Sequence, residues 1–471
     1  MFLRMIYDER LAQAAWMIGC QRTGEAIIID PERDVDRYLQ LAADNDLRIV
    51  ATAETHIHAD FLSGSRELAE RVGAKVLVSG EGGPDWQYGW LDGYDHQLLH
   101  DGDEFRLGHI HFRVMHTPGH TPEHIVFVVT DQGGGASEPI GVVSGDFLFV
   151  GDLGRPDLLE SAAGHKGAMR PSAQRLYGSL KRLEELAEYV QVWPAHGAGS
   201  ACGKALGAVP TSTIGYEKRF NAALQAASSE DAFVDFILAG QPEPPPYFAR
   251  MKRDNKVGPA LLGKLPQPAR LSPDDIRKLD GATTAIIDTR PWASFRAGHL
   301  DGALSIPLDK SFPTNAGSLI DEGEPIVLIV ASESEAEDAV RSLVRIGYDR
   351  IVGWLSADDL QASNAAPVTS RAVRVADADA LLASGEVRVL DVRRATEFAE
   401  GHIPGALNIA HTRLIPRLDE VPTGSTLLVV CRSGNRSARA VSMLQRKGFD
   451  VINLDGGMEA WNAAHSPALT R

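Results

Sequence analysis

The chain has 471 residues, 44% of them hydrophobic, enough for roughly three packed domains at about 100–200 residues each. A net charge of −16 excludes nucleic acid or an anionic membrane surface as the main partner, because either wants clustered Lys and Arg. Three cysteines, Cys20, Cys202 and Cys431, exclude a disulfide framework and suit a reducing cytosol where thiols do chemistry.

The opening residues 1–8 have no sustained apolar run and soon turn acidic, so no secretory signal is expected. No run approaches the roughly 18 apolar residues of a membrane helix, and a cytoplasmic protein is expected. Residues 1 to about 240 alternate strands and helices. A strand over 26–30 ends at Asp30-Pro31, a turn signal. Residues 35–43 read as helix and 49–54 as a strand feeding Thr55-His56-Ile57-His58-Ala59-Asp60. A helix follows over 65–72, then strands over 75–79 and 105–115, the last by alternation. Strands over 125–130 and 140–144 bracket Gly133-Gly134-Gly135, which lacks the Lys-Ser/Thr and helix start of a phosphate loop. The apolar strand holding Cys20 makes that thiol structural.

Two imidazoles and a carboxylate at one strand end suit a divalent metal presented by a rigid scaffold. A polar loop with two solvated histidines is the plainer alternative, and three later stretches weigh against it. His116-Thr117-Pro118-Gly119-His120, Ser144-Gly145-Asp146 and Pro194-Ala195-His196-Gly197 each set a His or Asp after an apolar run. A metal centre assembled from several strand ends leaves this pattern. His124 is either a neighbour of that centre or a satisfied loop residue, and His165 is a loop residue.

In that order the motifs resemble the metallo-β-lactamase superfamily, whose first motif is T-H-x-H-x-D-H. Here the last position is Phe61. In that superfamily the final His serves a second metal, so Phe61 argues for one. The branch with this look is the persulfide dioxygenases, which bind a single iron, Fe(II), through two His and one Asp. By that resemblance the ligands are His56, His120 and Asp146, and His58 and Asp60 stand behind them, Asp60 orienting a ligand His. A two-His-one-carboxylate face leaves positions open for substrate and dioxygen. His196 matches the motif serving the second metal and becomes a neighbouring or substrate-side group. Arg155, in Gly154-Arg155-Pro156-Asp157, shapes the mouth of the site by the same resemblance, or else pairs with Asp157 at the surface. Cys202 is either a small buried apolar residue or a thiol that carries sulfur beside the iron.

Residues 246–268 follow a Pro-rich stretch, carry Arg250, Lys252, Arg253 and Lys256, and read as an interdomain linker after a first domain of 1–245. Tyr247 and Phe248 are candidates to pack back on that domain. The basic group either meets an anionic substrate tail or is simply solvated. Beyond it lies a repeat: the stretch from Asp288 to Leu304 matches that from Asp391 to Leu407 at constant offset, so two copies of one domain are expected, over 269–365 and 370–471. Each reads as parallel α/β. Copy two has an apolar strand, then Cys431-Arg432-Ser433-Gly434-Asn435-Arg436-Ser437, then a helix. Such a loop turns backbone N–H groups inward beside a helix N-terminus, which favours a thiolate or persulfide at Cys431. Copy one has no Cys there, and Glu333, Glu335 and Glu337 oppose an anion, so it is expected to be inactive.

The Asp-x-Arg, Gly-His and Cys-loop motifs resemble the rhodaneses, the thiosulfate sulfurtransferases. That resemblance implies Cys431 as nucleophile, Arg432 and Arg436 on the anionic sulfur donor, and Ser433, Gly434 and Asn435 lining the loop. Taken together the chain resembles fusions of a persulfide dioxygenase with a degenerate and an active rhodanese. The implied fold is a metallo-β-lactamase αββα sandwich followed by two parallel α/β domains. The implied substrates are dioxygen and a persulfide of glutathione, coenzyme A or a similar thiol, with sulfite and thiosulfate as products or partners. A homo-oligomer, dimer or tetramer, goes with the resemblance. The rival readings are a glyoxalase-II-like binuclear zinc thioesterase and a sulfur carrier or sensor without turnover.

Overall fold

The computed structural model describes residues 1–161, 166–365 and 367–465. His165 lies outside the described residues, as do 466–471. By internal contacts the chain divides into one unit of 1–265 with 344–347 and another of 266–343 with 348–471.

The first unit is built on two six-stranded sheets. In one, Phe2–Asp8, Gln13–Cys20 and Glu25–Ile29 run antiparallel, and Arg48–Ala53, Lys75–Ser79 and His96–Leu99 are added in parallel. The other has the order Ser212–Thr213, Gln191–Pro194, Gly141–Gly145, Ile125–Asp131, Ile110–His116, Glu104–Leu107. Alternation decides which faces meet. Ala14, Trp16 and Ile18 point into a core shared with Phe112, Val114, Phe127 and Val129 of the second sheet. Ala15 and Met17, the intervening residues, pack under Val35, Tyr38 and Leu68 from the helical side. Val126 and Val128 turn outward to Leu176 and Phe233, on the helices Met169–Ser179 and Glu230–Leu238. The result is the expected αββα sandwich. The single strand expected over 105–115 is a hairpin instead. Gly108 turns it at φ +53°, where a Cβ would meet Cys20 Sγ at 2.7 Å.

Four strands of the sandwich, ending at Ala53, His116, Gly145 and Pro194, feed the four motif loops. The stretch expected as linker is corrected in part: Phe248–Val257 is a helix of the first unit. Its Phe248, Met251 and Asn255 are buried at helical spacing. Asn255 donates to the carbonyls of His58 and Phe61 and accepts from the Ser63 N–H, so the helix is stitched to the first motif. No helix among the described residues is long and apolar enough to cross a membrane.

The second unit holds two parallel sheets. One has the order Leu304–Ser305, Ala285–Asp288, Ile326–Ile329, Ile351–Leu355. The other has Arg371–Val373, Val451–Leu454, Thr426–Val430, Val387–Asp391, Leu407–Asn408. The repeated residues do the same work in both. Arg290 forks onto Asp288 and donates to the Gly298 carbonyl, and Arg393 does so with Asp391 and Gly401. Phe295 stacks on His299 at 3.9 Å, and Phe398 on His402 at 3.8 Å. The repeat in the sequence is therefore a buried bidentate ion pair and a ring stack that close the same turn twice.

Candidate metal centre and thiol loop

His56, His120 and Asp146 come from three motif loops, and one ligand atom from each lies within 4.8 Å of the others. All three are buried. What fixes them is outside the set. Thr55 Oγ1 donates to Asp30 Oδ2 at 2.9 Å and so accepts from His56 Nδ1, also at 2.9 Å. His120 Nδ1 donates to the Arg155 carbonyl at 3.0 Å. Both rings thus keep Nε2 unprotonated for a metal. The Asp146 backbone N–H donates to His124 Nε2 at 2.9 Å, while His124 Nδ1 bonds Thr117 Oγ1. Burial pushes His124 down to about 3, so it stays a neutral acceptor.

The donor set fits a divalent cation. Both Asp146 carboxylate oxygens are buried without a hydrogen-bond partner, and burial pushes the acid up to about 6. His120 Nε2 stands 3.4 Å from Asp146 Oδ2. Burial, and the other imidazoles, hold His56 and His120 well below the usual histidine range, in the form that ligates. A buried carboxylate facing two neutral imidazoles lacks only the positive charge.

His58 does not join this set. Its Nε2 lies 3.1 Å from both Asp30 Oδ1 and Glu54 Oε2. Burial opposes its charge, but those two carboxylates hold it well above the usual range. Phe61 is fully buried and tilted over that ring at 4.4 Å. Asp60, His196 and Cys202 form a neighbouring buried group with ligand atoms also within 4.8 Å of one another. His196 Nδ1 donates to the Ala12 carbonyl, and its Nε2 is 3.4 Å from both Asp60 Oδ2 and Asp146 Oδ1. Asp60 therefore faces His196 and not a ligand imidazole. Burial first, then Asp60 and Asp146, push the Cys202 thiol well up, so it stays protonated.

Arg155 differs from the expected mouth residue. It is 1% exposed, forks onto Asp157 and donates to the Ala201 carbonyl. Its guanidinium ties the 155–157 loop to the Cys202 loop, and its carbonyl aims His120. The roles of Asp30, Glu54, Thr55 and Asn255, and of Glu123, which accepts from the Ile57 N–H, escaped the sequence reading. Thr55 left a trace as the head of the first motif and Asp30 in the Asp-Pro step; the positive φ of 54° at Asp30 shows local strain at the site. Gly154 is a further constraint: a Cβ there would fall 1.7 Å from the Asp146 carbonyl oxygen. Gly154→Ala should displace Asp146, cost on the order of 3 kcal/mol in the first unit, and weaken metal retention. Metal content after exposure to chelator measures this, with Gly178→Ala, where the added methyl meets nothing, as control.

In the second unit Cys431 directly follows the strand Thr426–Val430, and the helix Asn435–Arg446 begins four residues later. Gly434 turns the loop at φ +94°. The buried Cys431 Sγ accepts from Gly434 N–H at 3.2 Å and Ser437 Oγ at 3.3 Å. Arg436 forks onto Glu397, whose carboxyl that bond holds down at about 2. Arg432 is exposed and bonds Glu459, and Ser433 and Asn435 are exposed too. The loop's main chain, not Arg432, surrounds the sulfur. In copy one strand register sets Ile329 where copy two has Val430, so Ala331 falls in the corresponding loop, and its N–H donates to Glu335 Oε2 at 2.9 Å. A carboxylate of the chain itself thus takes up a main-chain N–H of the loop that corresponds to the Cys431 loop.

Residues 9–196 match the metallo-beta-lactamase superfamily, and residues 272–357 and 374–464 match the rhodanese-like domain. A crystal structure of a metallo-beta-lactamase from Staphylococcus aureus is 40% identical, with a TM-score of 0.67, over 76% of this chain and 99% of that one. A probable metallo-hydrolase of Burkholderia pseudomallei is 28% identical over 256 residues, 48% of this chain and 82% of its own. The mitochondrial persulfide dioxygenase of Bos taurus is 26% identical over 199 residues, 41% of this chain and 67% of its own. With the sandwich, the strand-end donor set and the doubled Cys-loop domain in place, the chain belongs to the metallo-β-lactamase superfamily and carries two rhodanese-like domains behind that fold.

Proposed function

We propose that the first unit is a mononuclear iron persulfide dioxygenase and that the second copy of the rhodanese-like domain is a sulfurtransferase. The observation that carries the reading is the two-His-one-Asp set, with His58 of the same motif withdrawn to Asp30 and Glu54. The similarity to a persulfide dioxygenase and the thiol loop on the same chain point to sulfur as the common substrate. The reaction is RSSH + O2 + H2O giving RSH, sulfite and two protons. Iron, held by His56, His120 and Asp146, supplies the one-electron chemistry by which dioxygen reacts with a closed-shell thiol compound.

The chain's own residues prepare that site. Asp30 through Thr55, and the Arg155 carbonyl, hold the two imidazoles with Nε2 forward. His124 fixes the backbone of Asp146. Asp60, His196 and the neutral Cys202 thiol line the adjoining side, and Phe61 keeps water from His58. In the second unit the Gly434 N–H and Ser437 hydroxyl stabilise anionic sulfur on Cys431. The Cys431 thiolate first attacks the outer sulfur of RSSH: that S–S bond breaks, RSH leaves with the proton, and Cys431 carries the persulfide. Sulfite then attacks the outer sulfur of the Cys431 persulfide: the S–S bond breaks, thiosulfate forms, and the electron pair returns to the Cys431 thiolate. The persulfide's thiol carrier, glutathione or coenzyme A among them, and a cytoplasmic homo-oligomer belong to this reading. The inactive copy one and the rhodanese-like domains over 269–365 and 370–471 belong to it as well, with the first domain extended past 245 to take in the helix Phe248–Val257.

Anaerobic purification, metal analysis and an oxygen electrode with glutathione persulfide test the reading. One iron per chain, oxygen uptake and sulfite are expected. The Asp60–His196–Cys202 group supports one rival, a binuclear zinc thioesterase. Two zinc ions and no oxygen uptake would establish it instead.

A further inference from the structure

The Ser437 hydroxyl has one proton and two acceptors in reach, Cys431 Sγ at 3.3 Å and the Gly434 carbonyl at 3.1 Å. A serine inside a helix ordinarily spends that proton on the carbonyl three or four residues back, which here is Gly434. This carbonyl is contested. The Ala438 N–H donates to it at 3.1 Å, and Asn453 Nδ2 at 3.5 Å. A carbonyl oxygen has two lone pairs, so one of the three donors is surplus. The Ala438 N–H is fixed by the helix. Ser437 is the donor with a second acceptor, and that acceptor is the sulfur.

Packing alone does not account for Asn453. It lies in the strand Val451–Leu454, opposite Val429, and is 1% exposed. Ile452 and Leu454 point into the apolar core of copy two. Asn453 points to the other face, where the helix Asn435–Arg446 packs. Its Oδ1 is buried with no hydrogen-bond partner among the described residues. A buried amide with an orphan acceptor costs stability, and a leucine of similar volume carries no such cost. Copy one supplies the comparison. There Leu328 pairs with Ile287 as Val429 pairs with Leu390, and the other partner of Leu328 is Trp354. The copy without the loop Cys thus has an indole at the register position of Asn453.

We propose that Asn453 is a positioning residue for sulfur transfer: by taking the second lone pair of the Gly434 carbonyl, it turns the Ser437 proton toward Cys431 Sγ. The inference rests on the sulfurtransferase reading. The contact matters most when the Cys431 persulfide gives up its outer sulfur. An acceptor such as cyanide bonds to that sulfur and the S–S bond breaks. The electron pair of that bond arrives on Sγ, where the hydroxyl proton meets it. In the test the full chain is loaded with thiosulfate, freed of the excess and mixed with cyanide, and thiocyanate is followed through a single turnover. Asn453→Leu should slow this discharge about 5-fold, and Ser437→Ala by a similar factor. The double variant should be no slower than Ser437→Ala, because Asn453 acts through that hydroxyl. The melting temperature of Asn453→Leu should not fall, whereas a merely structural amide would lower it. Asn453→Ala, which adds no bulk, gives the same reading of the rate where the leucine does not fit. Losses that multiply to about 25-fold in the double variant overturn the inference. A native chain that yields no thiocyanate overturns the sulfurtransferase reading and the inference with it. A native chain that yields thiocyanate, matched in rate by the Asn453 variants, overturns the inference alone.

Discussion

Asp146→Ala should purify anaerobically with almost no iron, against one equivalent in the native chain, and should take up no oxygen. Asp146 is the only anion in the donor set, and two neutral imidazoles alone form a poor site. Losing a mere supporting partner of a ligand already costs about 10–100-fold in metal affinity, so loss of the ligand should exceed that. A second effect runs the other way. In metal-free protein the buried carboxylate is pushed from its ordinary 3.8 to about 6. The folded state then holds its proton more tightly than the unfolded chain. Metal-free native protein should therefore lose stability as pH rises from about 4 to about 6, and metal-free Asp146→Ala should lose less. Thermal unfolding of both metal-free proteins at pH 5 and pH 7 checks this. Stoichiometric iron in Asp146→Ala would refute the ligand assignment.

Cys431→Ser should cut sulfur transfer between thiosulfate and cyanide by at least about 10^3, because the thiolate is the nucleophile and a serine hydroxyl stays protonated. Folding should be preserved. The Ser side chain still meets the Gly434 N–H and Ser437, and the loop's shape comes from Gly434 and the helix start. Iron content and persulfide-dependent oxygen uptake should stay near native, and sulfite should accumulate where the native chain converts part of it to thiosulfate. Loss of oxygen uptake together with transfer would show that the two activities are not separable.

Much of this was legible from residue order. Strand ends carrying His56, His120, Asp146 and His196 read directly, because short apolar runs and polar strand-end loops are local features. The two rhodanese-like copies read from a repeat, and the absence of a loop Cys from copy one read from the same alignment. Asp-x-Arg read as a motif, though its work, a buried fork closing a turn onto Gly298 or Gly401, did not.

The sequence by itself determined the fold class, the donor types and the thiol loop, since hydrophobic period and residue chemistry are written along the chain. Only the tertiary structure decided which atoms those donors present. Thr55 and Asp30 set the tautomer of His56, a carbonyl 35 residues away sets that of His120, and Asp30 with Glu54 takes His58 out of the set. It likewise buried Arg155 and turned part of an apparent linker into a helix that holds the first motif. The physical reason is common to all of these. Hydrogen bonds to a buried imidazole or amide join residues far apart in sequence, and no local pattern records a partner that only folding brings near.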